Sequence, residues 1–291
     1  MLKISVPATS ANLGPGFDSI GLALDMQLTL TVLGPSQTWQ VSHPFGANVP
    51  SDARNLIVKT ALSLVPNLTP QRLEVTSEIP LARGLGSSST AIVAGLALAN
   101  ELSATPITKQ ALLLKATELE GHPDNVAPAI LGGLVVATYA DQKVQAVQLP
   151  TPDLMASVYV PNEELLTSAS RHALPAELPY KQAIAGSSIG NTLVAALAMK
   201  DWALALELLE QDRFHEQYRA SLVPALATIR TTAHTMGLVG TYLSGAGPTI
   251  VTLGTQKDMV QLQAKLQANP VLTGKTYLLP INTQGLTVHK S

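Results

Sequence analysis

Cysteine is absent from the 291 residues. Without a thiol there can be no disulfide, no thiolate nucleophile and no thiolate metal ligand. Charge is sparse as well: Asp, Glu, Lys and Arg make up 13% of the chain, and the formal net charge is −2. No Lys/Arg-rich run occurs. The sequence therefore lacks the basic footprint of a nucleic-acid binder or of a protein held on an anionic membrane. No continuous apolar run reaches the roughly 18 residues needed to span a bilayer. The opening stretch "MLKISVPATSANLG" has one lysine and no apolar core, which predicts no secretory signal. The expectation is a soluble cytoplasmic protein without nucleic-acid or membrane partners.

The apolar fraction, 46%, is ample for a folded core, and the length suits one large domain or two ordinary ones. "LKISVPAT" alternates as a strand does, and "DMQLTLTVLG" (25–34), "WQVSHPF" (39–45) and "QRLEVTSEIP" (71–80) are strand-like too. "RNLIVKTALSLV" (54–65) has helical spacing after Asp52. A helix opens near Ser87 with an apolar stripe at Ile92, Leu96, Ala99 and Leu102, and another spans Thr108 to Glu120. "GGLVVATYA" (132–140) reads as a strand. The prolines of "LPTPDL" place a boundary near residues 150–153, giving units 1–152 and 153–291. The second unit opens with a strand (154–161). Helices over 186–199, 202–212 and 221–236 follow, then strands within 240–254 and a helix over 256–268. Strands and helices mixed in both halves predict an α+β architecture.

Three loops rich in small residues stand out. In "PLARGLGSSSTAIVAGLALANEL" (80–102) a Gly/Ser loop joins a strand to a helix. A helix N-terminus leaves N–H groups unpartnered and favours anions, so this is a suitable place for phosphate. There is no Gly-Lys-Ser/Thr ending, so it is not a Walker loop. By itself the stretch reads equally as a serine-capped helix after a glycine turn. "PATSANLGPGFD" (7–18) and "LSGAGPT" (243–249) are similar loops at strand ends, and together the three suggest one cleft.

These three stretches resemble the signature motifs of the GHMP kinases, in the order that family has them. Within that superfamily the chain resembles the homoserine kinases. The markers are "SANLGPGFD", "EGHPDNVAPAILGG" (120–133), Thr167 with Arg171, and "HEQYR" ending at Arg219. The resemblance implies a two-domain GHMP kinase fold whose N-terminal half is like ribosomal protein S5 domain 2. It implies ATP-dependent phosphorylation of the side-chain hydroxyl of L-homoserine, a step of threonine biosynthesis, and a homodimer. The second motif would wrap the ATP phosphates with Pro80, Leu81, Ala82, Arg83, Gly84, Leu85, Gly86, Ser87, Ser88, Ser89 and Thr90. Asn55 would line the adenine pocket. Mg²⁺ would lie on Ser88 and Glu120, with Glu118 the neighbouring alternative because the segment "EGHPDN" is short for the family.

For the acceptor, the resemblance implies Asn12, Asp18, His122, Asp124, Asn125, Arg171, Arg219 and Gly245. Arginines suit a carboxylate because the planar guanidinium can grip it bidentately, and Asp18 can take the ammonium. Each of these residues has a plainer reading as a helix cap, a turn residue or a solvated charge. Asn125, Thr167 and Arg171 would be catalytic. Some relatives have an aspartate base where this chain has Asn125, and an amide cannot take the proton. Transfer without a dedicated base is therefore expected. Ser89 departs from the family's usual alanine. Outside the family, "GSSIG" (186–190) matches the Gly-x-Ser-x-Gly elbow of serine hydrolases, with Asp212 and His234 following in triad order. A GHMP kinase for another small alcohol is the remaining alternative.

Overall fold

The computed structural model describes residues 1–290 as an α+β fold with two sheets. The first sheet is built on β1 (Leu2–Ala11) and β2 (Ile20–Pro35), antiparallel partners with a bulge between Pro7 and Ala8. Alternation drives the pairing. Ile4, Val6 and Ala8 on β1 and Leu22, Leu28 and Leu30 on β2 turn their side chains into the core. β3 (Gln40–Ser42) lies parallel to β4 (Gln71–Ser77), which pairs with the second half of β2. β5 (Leu134–Ala140) and β6 (Lys143–Leu149) form a hairpin against the first residues of β2.

The second sheet has the order β10-β7-β9-β8 and is antiparallel throughout. It contains β7 (Met155–Val160), β8 (Thr241–Leu243), β9 (Ile250–Gly254) and β10 (Lys275–Pro280). The last strand, β11 (Thr287–Lys290), leaves this half and pairs with β1, from Leu2–Lys290 to Ser5–Thr287. The stretch 240–254 is thus a hairpin, and the small-residue loop 244–249 is its turn.

Helices α1 (Leu56–Leu64), α2 (Ser87–Leu102), α3 (Lys109–Glu120) and α4 (Val126–Leu131) belong to the first half. The second half has α5 (Thr167–His172), α6 (Tyr180–Met199), α7 (Trp202–Leu209), α8 (Glu216–Arg219), α9 (Ala225–His234) and α10 (Gln256–Gln267). The single stripe read for α2 is only part of its buried surface. α2 packs against α1, α3, α4 and β1, so Ile92 to Ala99 are buried all round, whereas Leu102 is 36% exposed. α4, α5, α8 and β6 were not legible in the sequence, because elements of four to seven residues are too short to show a period. α6 starts at Tyr180, not at 186. By length and composition it could cross a membrane, although Lys181, Gln182 and Asn191 interrupt it.

Side-chain caps start α3 and α10, whereas α2, like α6, has none. At α3 the Thr108 side chain accepts the Ala111 N–H at 3.2 Å, and at α10 Thr255 accepts that of Asp258 at 3.2 Å. α2 begins instead at Gly86, in the left-handed region at φ 69°, with no side chain on its first turn.

Candidate active site

The three small-residue loops meet between the two sheets, around a cavity of about 390 Å³. Hydrogen bonds lock them together. The Gly245 N–H donates to Ala11 O at 3.0 Å and the Thr249 N–H to Arg83 O at 3.2 Å. Ser244 Oγ donates to Gly84 O at 2.6 Å and lies 2.8 Å from Ser10 Oγ. Ser10 Oγ in turn meets the Tyr242 hydroxyl at 3.0 Å, and burial pushes that phenol's pKa far above its usual value. Gly84 has φ +78°, and a Cβ there would fall 2.5 Å from Ser244 O, so only glycine lets the loops approach this closely.

At one end of the cavity lies the start of α2. Among the described residues the N–H groups of Ser87, Ser88 and Ser89 have no acceptor, whereas the Thr90 N–H is already bonded to Gly86 O at 2.8 Å. Unpartnered N–H groups and the helix dipole together attract an anion. Of the eleven residues expected to hold phosphate, Leu81, Ala82, Arg83, Gly84, Gly86, Ser87, Ser88 and Ser89 line the cavity. Leu85 is instead a core residue, Thr90 is buried with Oγ1 on Ser87 O, and Pro80 is outside the lining. The Arg83 guanidinium is committed elsewhere. It donates to the carbonyls of Pro161 at 3.1 Å and Asn162 at 2.7 Å, tying the loop to the segment after β7.

Glu120 ends α3 facing the same cavity, while Glu118 pairs with Lys115 at 2.7 Å on the exposed side of that helix. Burial raises the Glu120 pKa above the ordinary carboxylate value. The Ser89 hydroxyl, donating to Oε1 at 2.9 Å, works against that rise. The serine that replaces the family's alanine thus holds this carboxylate. The exposed Ser88 hydroxyl and the Glu120 oxygens are hard donors beside a phosphate-attracting helix end, a set that fits Mg²⁺.

Beside the start of α2 stand the charged residues expected for the acceptor: a Cβ on Gly86 would lie 3.1 Å from Asn125 Oδ1. Asp18, His122, Asp124, Asn125, Thr167, Arg171, Arg219 and Gly245 all line the cavity, as does Asn12. Arg171 does not wait free for a ligand. Its Nη1 and Nη2 grip the Asp18 carboxylate at 3.0 and 2.7 Å. That hydrogen bond outweighs burial and raises the Arg171 pKa. Arg219 is only 2% exposed and makes no ion pair among the described residues. Burial, then repulsion from Arg171, lowers its pKa to about 10, so it stays charged at neutral pH. Its Nε donates to Ser170 O at 3.3 Å, and its Nη1 to Gly245 O at 3.0 Å and to His215 Nδ1 at 3.1 Å. Nη2 alone is uncommitted, so the bidentate grip read from the sequence is not open to Arg219 as it stands.

His122 Nδ1 bonds the Asp124 carboxylate. Burial disfavours the imidazolium. The Asp124 hydrogen bond and the charges of Asp124, Asp18 and Glu120 outweigh it, and the His122 pKa rises. Asn125 Oδ1 accepts the Thr9 hydroxyl at 2.8 Å, and its Nδ2 donates to Asp124 at 3.2 Å, so its amide orientation is set from both sides. The Asn12 side chain spans Gly245 O and the Asp18 N–H, each at 3.0 Å, and holds the first and third loops in place.

Asn55 is buried and consumed locally. It caps α1 by accepting the Ile57 N–H at 3.0 Å and donates to Pro50 O at 2.7 Å. The apolar end of the cavity is formed by Leu28, Phe45, Val49, Leu56, Ile57 and Val75. Phe45 lies within "WQVSHPF", whose alternation pointed only to a strand. Phe17 was also missed, although it stands in the quoted "GPGFD". The guanidinium carbons of Arg171 and Arg219 each lie 5.5 Å from its ring centroid. The hydrolase reading fails on geometry. Ser188 is inside the continuous helix α6 with Oγ on Ala185 O, Asp212 caps the backbone of residues 214–216, and His234 pairs with Glu210 at 2.7 Å. No strand–turn–helix elbow exists there.

Comparison with known proteins identifies the family. The family model "GHMP kinases N terminal domain" matches residues 55–133, and "GHMP kinases C terminal" matches 193–271. The homoserine kinase of Lactiplantibacillus plantarum is 68% identical, with 100% of each chain covered. The crystal structure of homoserine kinase from Cytophaga hutchinsonii is 30% identical with a TM-score of 0.87, covering 99% of this chain and 97% of that one. A solved Listeria monocytogenes chain is 42% identical with a TM-score of 0.89, and 100% of each is covered. Both halves carrying the family's sequence pattern, and full-length relatives at 30% to 68% identity, lead to one conclusion: this chain belongs to the GHMP kinases, among the homoserine kinases.

Proposed function

We propose that the chain transfers the γ-phosphoryl group of Mg·ATP to the side-chain hydroxyl of L-homoserine, giving O-phospho-L-homoserine and ADP for threonine biosynthesis. The observation that carries this reading is a single cavity lined by both an uncapped helix N-terminus and a buried guanidinium that makes no ion pair among the described residues. The first suits polyphosphate and the second suits a carboxylate. Between them Asp18 and Asp124 offer the anionic surface an ammonium needs. Their oxygens and a His122 nitrogen lie within 4.8 Å of one another.

Ser88 and Glu120 would hold Mg²⁺, which supplies charge neutralisation to the phosphates when bound. The Ser87–Ser89 N–H groups bind phosphate oxygens, and the apolar end of the cavity receives the adenine. Arg219 fixes the acceptor's carboxylate through Nη2, Arg171 joins it by exchanging Asp18 for the ligand, which frees Asp18 for the ammonium, and Thr167 orients the hydroxyl. That hydroxyl oxygen bonds to the γ-phosphorus as the bond to the bridging oxygen breaks. ADP leaves with the electron pair, and the proton departs on the transferred phosphoryl group. Asn125 cannot accept it, and a loose transition state asks chiefly for position and electrostatics. The resemblance also carries the expectation of a homodimer, which light scattering measures directly.

The test is an ADP-release assay with Mg·ATP and L-homoserine, L-serine, L-threonine, mevalonate or galactose. Turnover on L-homoserine alone supports the reading. Turnover on mevalonate or a sugar overturns the acceptor assignment. For the mechanism, Asn125→Asp is expected to lower turnover, because the aspartate would break the bond from Asn125 Nδ2 to Asp124. A strong rise in kcat with a new basic limb in the pH profile would refute transfer without a base.

A further inference from the structure

We infer that His215 is a positioning residue for the acceptor's carboxylate, acting through Arg219; the inference rests on the reading of the acceptor given above. His215 is 0% exposed and stands just before α8. Its backbone N–H is fixed by Asp212 Oδ2 at 2.8 Å. The ring bridges two parts of the site. Nε2 meets Gly14 O at 3.0 Å, in the first loop, and Nδ1 meets Arg219 Nη1 at 3.1 Å. A carbonyl can only accept and a guanidinium can only donate. Nε2 therefore carries the hydrogen, and Nδ1 offers its lone pair to Arg219.

The face of the ring is used too. It stacks on Phe17 with centroids 5.3 Å apart and planes at 23°, and Arg219 lies over that same Phe17. The result is a closed set of contacts: first loop to His215, His215 to Arg219, Arg219 to Phe17, and Phe17 back to the first loop. The consequence falls on Arg219. One Nη1 hydrogen goes to His215 and the other to Gly245 O, while Nε goes to Ser170 O. A rigid planar fork held at two of its three nitrogens presents the third, Nη2, in one direction only. Without the His215 acceptor, Nη1 loses one of its two anchors and the fork is free to tilt.

Three variants separate this role from simple support of the core. His215→Asn can keep an acceptor at the Nδ1 position but gives up Gly14. His215→Gln can reach Gly14 but gives up Arg219. His215→Phe keeps the stacking and neither hydrogen bond. KM and kcat are measured for L-homoserine and for ATP, with thermal melting as the check on folding. In the Gln and Phe variants KM for L-homoserine is expected to rise about 10- to 100-fold, the loss associated with a hydrogen bond to a charged group. KM for ATP and kcat are expected to stay near their original values, and Asn is expected to restore most of the loss. Equal KM for L-homoserine in all three folded variants overturns the inference, as does a joint rise of both KM values with falling kcat, or an Asn variant worse than Gln. If Phe does not fold, the Asn–Gln order alone decides. Absence of L-homoserine turnover by the unaltered protein would instead sink the acceptor reading, and this inference with it.

Discussion

Glu120 shows how one residue trades stability for chemistry. A carboxylate disfavoured by burial sits where a cation would neutralise it, and its raised pKa records that cost. For an acid with a raised native pKa, the penalty is absent below the unfolded value, near pH 4, and complete above the native one. Glu120→Gln keeps an acceptor for the Ser89 hydroxyl. It is expected to raise the melting temperature of the ligand-free protein at pH 7, with no gain at pH 4. Mg·ATP-dependent turnover should fall about 100-fold or more. Calorimetry at two pH values and the ADP assay check both halves. His122 has the opposite sign. Its raised pKa contributes stability below the ordinary imidazole value, lost as pH rises through the native one. An NMR titration should place its midpoint above ~6.5.

Among the elements, the start of α2 is the one on which the proposed phosphate binding depends. Gly86 has φ +69°, and a Cβ there would lie 2.0 Å from Thr9 Oγ1, the hydroxyl that orients Asn125. Gly86→Ala thus adds a clash to the roughly 1–2 kcal/mol of left-handed strain. Gly237 is the control: it has φ +72° and nothing within 4 Å of a built Cβ. Gly237→Ala should show the strain as a lower melting temperature with unchanged ATP affinity. Gly86→Ala should show a larger drop and at least about tenfold weaker ATP binding by calorimetric titration, since the first-turn N–H groups shift with the helix. Equal ATP affinity in both variants would remove α2 from the binding account.

At the scale of the whole molecule, β11 ties the second half back to the first sheet through four paired residues on β1. Removing residues 287–291 would bare the N–H and C=O groups of Leu2–Ser5 along a sheet edge, an invitation to intermolecular pairing. None of residues 287–290 lines the cavity. The truncated chain is expected to keep its kcat at 25 °C but to melt earlier and to aggregate on heating, which turbidity and residual activity would follow. Loss of kcat at 25 °C would instead mean that this strand supports the site.

The sequence by itself determined what neighbours along the chain can settle. Alternation at Ile4, Val6 and Ala8 marked β1, glycines at residues 84 and 86 marked a tight loop, and the serines after them marked a helix start suited to an anion. Spacing and turn chemistry act over a few residues, so these signals survive in one dimension. The motif resemblance extended that reach to the residues around the cavity, but not to their partners. Only the tertiary structure decided that Arg171 closes on Asp18, 153 positions away, and that His215 meets Gly14 across 201. It also decided that Arg83 turns from phosphate to carbonyls and that the last strand joins the first sheet. Those outcomes depend on which donors and acceptors remain unsatisfied once the sheets and helices have packed, a sum over the whole fold that no local pattern encodes.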